Sequence, residues 1–338
     1  MVMSLLLRSL ALGGTLLLAA SLSAQQPFRL PTANRALFEP GNEAKFFVET
    51  VGKTWTSGCF GCVRSDGWQM HEGLDIRCLQ RDKRNEPTDP VFASADGTVV
   101  YINRKPALSN YGNYIVLKHR IDGLDVYSLY AHIQNTVEGL KVGQTVRAGE
   151  TIAIMGRTTN TREGISKERA HVHFEINLLV SPDFVSWFKK NSPGERNDHG
   201  IYNGQNLLGL DPTQILRAEQ KGNFNLVNFL RDQPELFRVT VRKTNFTWLR
   251  RYPELVRPNP KATQEGIAGY ELVVNYNGVP FQIIPRSASQ LKGTAKYRLI
   301  SVNAAEYKKS PCRRLVVQKG GRWELGPRGI RLLDLLSS

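Results

Sequence analysis

Long apolar runs are scarce in this 338-residue chain. Beyond the first two dozen residues, none approaches the ~20 consecutive apolar residues that a membrane-spanning helix needs. Internal repeats and low-complexity tracts are absent, which sets aside solenoids and disordered tails. Cysteine is limited to four residues, Cys59, Cys62, Cys78 and Cys312. The Cys59-Phe-Gly-Cys62 pair has no second close pair to complete a zinc knuckle. Four cysteines leave three complete pairings open; a local bridge from Cys78 to Cys59 or Cys62, or free structural thiols, is the expectation. Histidine is limited to six residues, and four of them fall into one pattern.

The first residues have the make-up of a targeting segment. Arg8 gives a positive start, residues 9–23 are apolar and rich in small side chains, and polar Gln25 and Gln26 follow. Residues 1–24 therefore read as a signal peptide. No cysteine lies near the cleavage point, so a lipoprotein is not expected, and no stable membrane span remains after cleavage. The chain is expected to be exported, to the periplasm, the cell envelope or the medium. Its net charge of +15 is unevenly spread: residues 215–338 hold 22 Lys and Arg against 9 Asp and Glu, whereas residues 25–214 hold 22 against 21. In an exported protein that argues against nucleic acid. It leaves an anionic cell-envelope polymer as the partner of the C-terminal third, or a cationic surface with a purely structural role.

Residues 25–45 lack periodicity and read as a linker. From 46 to 177 short strands alternate with turns. "VFASADGTVVYI" is two strands about Asp96-Gly97, and "NYIVLKHRIDGLDVYSLYAHI" is a hairpin turning at Asp122-Gly123. Residues 178–206 interrupt this pattern as an insertion with a short helix near 184–190, and "LDPTQIL" closes the unit at 214. The expected fold is mainly β, an antiparallel sheet with a groove, over 46–214. A smaller basic α+β unit follows over 215–338, with a helix over 217–238, four strands and a final helix.

Three segments carry chemistry. In "QMHEGLDIRC", His71, Gly73 and Asp75 share one face of a strand, and the glycine leaves space between the two candidate ligands. In "AHVHFEIN", His171, His173 and Glu175 share one face while Val172, Phe174 and Ile176 share the other, a half-buried strand. In "YSLYAHI", alternation puts Ser128, Tyr130 and His132 together. A lone histidine is usually a surface or core residue, but here the needed groups fall on the non-core faces of β segments. Two histidines and one carboxylate suit an open zinc site, in which three protein ligands leave a fourth position. His119 and His199 lack such company and are given no catalytic role. Glu175 is either an acceptor that orients a ligand imidazole or an exposed strand carboxylate, and packing is the expected role of Tyr130.

Over residues 50–177, and again at "LDPTQIL", the chain resembles the M23 family of LytM/lysostaphin-type zinc peptidases. The match runs through "SGCFGCVR", His71-Glu-Gly-Leu-Asp75, "NYGNYIVLKH", "LYAHI", "GLKVGQTVRAGETIAIMG" and "AHVHFEIN", in order and spacing. The resemblance implies one zinc ion per chain on His71, Asp75 and His173, with His132 and His171 as catalytic non-ligand histidines. It also implies peptidoglycan cross-bridges or stem peptides as substrate. The link "RTTNTREGISKERA" before the His-x-His is longer and more charged than the family's usual glycine-rich turn. That link and the insertions near 78–90 and 178–206 are expected to reshape the groove. The rival reading is a non-catalytic wall-binding or hydrolase-activating protein that keeps the fold. A biotinyl or lipoyl carrier is set aside because no lysine occupies a suitable turn tip.

Overall fold

The computed structural model describes residues 27–222 and 224–338; the signal-peptide reading of 1–24 lies outside them. Among the described residues no helix is long and apolar enough to cross a membrane.

The fold is mainly antiparallel β. Its centre is the strand His171–Leu179, every residue of which is buried. One edge pairs with Leu124–Ala131, and the sheet continues through Tyr114–Ile121 and Gly97–Asn103 to Thr145–Val146. The other edge is shared: Leu74–Arg77 pairs along residues 171–174 and Leu207–Leu210 along 176–179. Val172, Phe174 and Ile176 point into the core, as their alternation requires. The hairpin turns at Asp122 and Gly123, both at positive φ (49° and 81°), the conformation a two-residue turn between right-twisted strands needs. The insertion carries the expected short helix, Phe184–Asn191.

Three expectations fail. The segment read as a linker is packed: Phe28 and Leu37 are buried, and Arg29 N–H donates to the Ser94 carbonyl at 2.7 Å. Its apolar residues show no period, yet Phe28, Ala36 and Leu37 join the main core. The helix expected over 217–238 is two shorter ones, Pro212–Gln220 and Leu226–Arg231, followed by a strand, Phe237–Val241. The β-branched alternation of "FRVTV" wins there. That strand is central in a second antiparallel sheet, ordered Pro280–Arg286, Gly269–Val274, Phe237–Val241, Tyr297–Val302. Finally, the disulfide is not local. Cys62 is bonded to Cys312 across 250 residues, while Cys59 and Cys78 are free. Sequence distance says nothing about which thiols meet once two sheets dock.

One apolar core runs from Phe28 to Leu336 and joins both sheets. Residues of the C-terminal third also finish polar groups of the first sheet. Tyr252 Oη donates to the Leu179 carbonyl at 3.0 Å, and Asn277 Nδ2 to the Gly209 carbonyl at 2.8 Å. The Leu207–Leu210 strand, an edge that would otherwise be open, is thereby covered.

Candidate metal centre

His173 and Asp75 sit directly opposite each other in the pairing of the two strands that carry them. Cross-strand neighbours project to the same face, so register alone brings an imidazole and a carboxylate together. His71 arrives from a separate short strand, Gln69–His71, which stops before Gly73. The expected role of Gly73 is corrected here: a Cβ at that position would lie 2.4 Å from the Phe174 carbonyl oxygen. The glycine lets two backbones approach rather than leaving room for an ion.

The three donor atoms form a small triangle. His71 Nε2 to His173 Nδ1 is 3.1 Å, His71 Nε2 to Asp75 Oδ1 is 3.1 Å, and His173 Nδ1 to Asp75 Oδ1 is 3.0 Å. Tetrahedral zinc with bonds of about 2.0–2.1 Å needs donors about 3.3 Å apart, so a small divalent cation fits with minor adjustment. All three residues are buried.

Hydrogen bonds fix the tautomers. His71 Nδ1 donates to the Cys59 carbonyl at 2.7 Å, which turns the Nε2 lone pair inward. His173 Nε2 faces Glu175 Oε1 at 2.8 Å, and Tyr111 Oη donates to that same oxygen at 2.7 Å. Lone pairs and a carboxylate therefore converge where only a positive charge satisfies them. The protonation of His173 reports the same demand. Burial opposes its charge, but hydrogen bonds to Asp75 and Glu175 outweigh that and push the ring up to about 10. Burial likewise disfavours the Asp75 carboxylate, yet His171, His71 and His173 hold it well below the usual carboxylate range.

His132 and His171 flank the triangle, their rings 4.9 Å apart. His132 Nδ1 donates to the Thr158 carbonyl at 2.8 Å and His171 Nδ1 to the Arg169 carbonyl at 2.6 Å. Both rings thus keep a free Nε2, and that of His171 lies 3.5 Å from Asp75 Oδ1. Burial, then the neighbouring His171 and His173, keep His132 well below the usual histidine range; burial also lowers His171. Gly112, at φ 61°, lies against Thr158, and a Cβ there would meet the Thr158 carbonyl oxygen at 2.1 Å.

The alternation expected for "YSLYAHI" does not hold. Tyr130 is buried in the core, with its hydroxyl bonded to Ser94 N–H at 2.7 Å and Ser128 Oγ at 2.9 Å. The strand ends at Ala131, and His132 takes φ 60°. This left-handed turn, costly for a side chain with a Cβ, swings the imidazole onto the metal face. His119 is a core residue: it bonds Asp96 O and Ser128 Oγ, and burial holds it down at about 4. His199 bonds Tyr101 Oη and the Leu108 carbonyl.

Sequence reasoning missed three participants. Arg64 makes an ion pair with Asp75 Oδ2 and places Nη2 3.1 Å from His71 Nε2. It neutralises one carboxylate oxygen and leaves Oδ1 to the histidines. Arg64 lies in the quoted "SGCFGCVR", which was the available signal. Tyr111, in "NYGNYIVLKH", was equally visible but not distinguished. Arg313 and its neighbours belong to the basic C-terminal third, whose charge signalled an anionic partner but not a place in this groove. Together these residues line a groove of about 1420 Å³.

Fold and site define a β-sheet protein with a buried His-Asp-His cluster suited to a divalent metal. The profile described as Peptidase family M23 matches residues 69–182, and the chain belongs to that family. It is 40% identical over 87 residues to lipoprotein NlpD of Yersinia enterocolitica, covering 26% of this chain and 75% of that protein. It is 44% identical over 86 residues to the murein hydrolase activator NlpD of Escherichia coli, covering 25% of this chain but only 19% of that protein. The catalytic domain of lysostaphin from Staphylococcus simulans is similar at 20% identity, over 51% of this chain and 89% of that one, with a TM-score of 0.29.

Proposed function

We propose that this chain is an exported zinc metalloendopeptidase that hydrolyses peptide bonds in peptidoglycan cross-bridges or stem peptides. Within it, residues 46–214 act as the peptidase unit and 215–338 as an accessory unit that completes the groove. The observation that carries the reading is the set of four imidazoles whose tautomers are each fixed by a carbonyl or carboxylate, leaving four nitrogens turned into one groove.

In this reading His71, Asp75 and His173 hold one zinc ion, whose chemistry is Lewis acidity toward a carbonyl and acidification of water. The chain's own residues do the rest. His132 and His171 are kept neutral and offer Nε2 to take a proton from water as it attacks the amide carbonyl. Once protonated, either ring donates a hydrogen bond to the negative charge that develops on that carbonyl oxygen. Thr158 and Arg169 stabilise the imidazolium through their carbonyls. Glu175 and Tyr111 hold the His173 ring in place, and Arg64 holds Asp75. The apolar, cleavable N-terminal segment and the murein-related relatives support an envelope location. The same relatives support murein as the substrate, and the charge of residues 215–338 supports contact with anionic envelope polymers.

The likeness to a murein hydrolase activator favours a second reading, a protein that stimulates another hydrolase without turnover. Digestion of purified peptidoglycan separates the two. New peptide ends from the chain alone, lost with chelator and restored by zinc, are expected. Release only when a second hydrolase is added would replace the enzyme reading with the activator one. The double variant His71→Ala with Asp75→Ala should lose bound zinc and hydrolysis together.

A further inference from the structure

The groove has one wall that the family match does not cover. Arg313 and Arg328, from the C-terminal third, line the same cavity as His71, Asp75 and His173. The Cys62–Cys312 disulfide fixes this wall by tying the residue before Arg313 to the strand Gly61–Arg64, which carries Arg64.

Neither arginine is used up by the fold. Among the described residues the closest carboxylate oxygen to the Arg313 guanidinium is Glu72 Oε1, at 3.9 Å, beyond hydrogen-bonding range. Glu72 follows His71 directly, so Arg313 faces the rim of the metal centre. Arg328 makes one long bond, from Nη1 to the Cys312 carbonyl at 3.5 Å. Arg331, on the same helix (Pro327–Leu336), behaves differently. It bonds Asn191 O, Ser192 Oγ and Gln205 Oε1 and covers the Trp187 ring at 4.7 Å. Arg331 is a structural residue, whereas Arg313 and Arg328 line the groove with no carboxylate within hydrogen-bonding distance among the described residues. Burial and the like charge of Arg328 both disfavour the Arg313 cation, and Glu72 offsets them only in part. Arg313, half-buried beside Glu72, and the neighbouring exposed Arg328 leave an excess positive charge at this corner of the groove. Such a corner is best satisfied by a planar anion that accepts forked hydrogen bonds.

We propose that Arg313 and Arg328 form a carboxylate-recognising subsite, which selects peptides bearing an acidic group close to the bond presented to the metal centre. This rests on the reading of the groove as a peptide site and adds to it the charge of the ligand and the residues that read it.

The test uses four fluorescein-labelled tetrapeptides: Ala-Glu-Lys-Ala and Ala-Gln-Lys-Ala, each with a free or an amidated C-terminus. Binding to the zinc-loaded full chain carrying His132→Ala is read by fluorescence anisotropy. Cleavage by the unaltered chain is read separately. Loss of one charge-assisted interaction corresponds to about tenfold or more in affinity. The expected result is that a carboxylate lowers Kd about tenfold, with the Glu/Gln and acid/amide pairs showing which carboxylate is read. That ratio should fall towards one in Arg313→Gln and in Arg328→Gln and persist in Arg331→Gln. If Arg313→Gln loses its cooperative thermal transition, the more exposed Arg328→Gln decides. Equal affinity for all four peptides, or a preference that survives both Arg313→Gln and Arg328→Gln, overturns the proposal. Charge-dependent binding without cleavage by the unaltered chain keeps the subsite and removes the peptidase reading; cleavage without charge preference does the reverse.

Discussion

Glu175 Oε1 lies 2.8 Å from His173 Nε2 and so decides which nitrogen of that ring meets Asp75. Groups that orient a metal-binding imidazole in this way typically contribute 10–100-fold to metal affinity. Glu175→Gln should therefore weaken zinc binding by roughly that factor while leaving the fold intact, because Tyr111 Oη can still donate to the amide oxygen and Asn177, whose Oδ1 has no partner, can turn to accept from the new amide NH2. Competition with a chromophoric chelator measures it. Unchanged affinity would show that the strand alone fixes the ring.

The Cys62–Cys312 bond closes a loop of 250 residues. Long loops gain most from closure, and the chain-entropy argument puts this one at about 5–6 kcal/mol. The double variant Cys62→Ser with Cys312→Ser should unfold at clearly lower denaturant concentration than the oxidised protein and match it after both are treated with reductant. Coincident unfolding of the untreated proteins would mean that the shared core, not the bond, holds the two sheets together.

Glu86 connects two segments that the sequence marked as departures from the family pattern. Its carboxylate takes bonds from Arg157 Nε at 2.8 Å and Nη2 at 3.0 Å, with Lys167 Nζ at 3.2 Å. These partners, Arg157 foremost, hold Glu86 down at about 2, against an ordinary 4.5. A depressed carboxylate stabilises the folded chain fully above pH 4.5 and loses that contribution as pH falls towards 2. Protection of the amides in residues 157–170, taken relative to the intrinsic exchange rate at each pH, should therefore fall below pH 4.5, and Glu86→Gln should show the lower protection already at neutral pH. Exchange in Glu86→Gln equal to that of the unaltered chain at pH 7 would sink this assignment.

On the peptidase reading proposed above, His132 and His171 set a pH signature for hydrolysis. Burial holds both His132 and His171 below the ordinary value of about 6.5. A lowered histidine stays neutral to lower pH, so the form that accepts a proton persists as the solution is acidified. The acid limb of kcat/KM should fall below pH ~6.5. Replacing His132 by Ala should cost about 10²–10⁴-fold in rate with bound zinc unchanged. Full activity in His132→Ala would exclude it from proton transfer.

The sequence made the candidate donor sets legible because strand alternation acts locally, within each segment. Once His171, His173 and Glu175 share a face and Leu74–Arg77 pairs beside them, His173 and Asp75 must meet. His132 was found for a reason that does not hold. Alternation was expected to place it with Tyr130, but a single left-handed residue reversed the side on which it emerges, and no period contains that information. Gly73 shows the same limit: its presence was evident, but its purpose lies in a backbone 101 residues away in the chain, at Phe174. The disulfide and Arg313 were invisible because both depend on how the second sheet docks. That docking is fixed by a broad apolar surface rather than by any motif.

The groove is built from both ends of the chain. A nascent polypeptide will have produced all four site histidines long before Arg313, Arg328 and Leu332, which line the opposite wall. The wall that Arg313 and Arg328 contribute therefore comes from the part of the chain that is made last, and Cys312 holds it to the strand Gly61–Arg64 through Cys62.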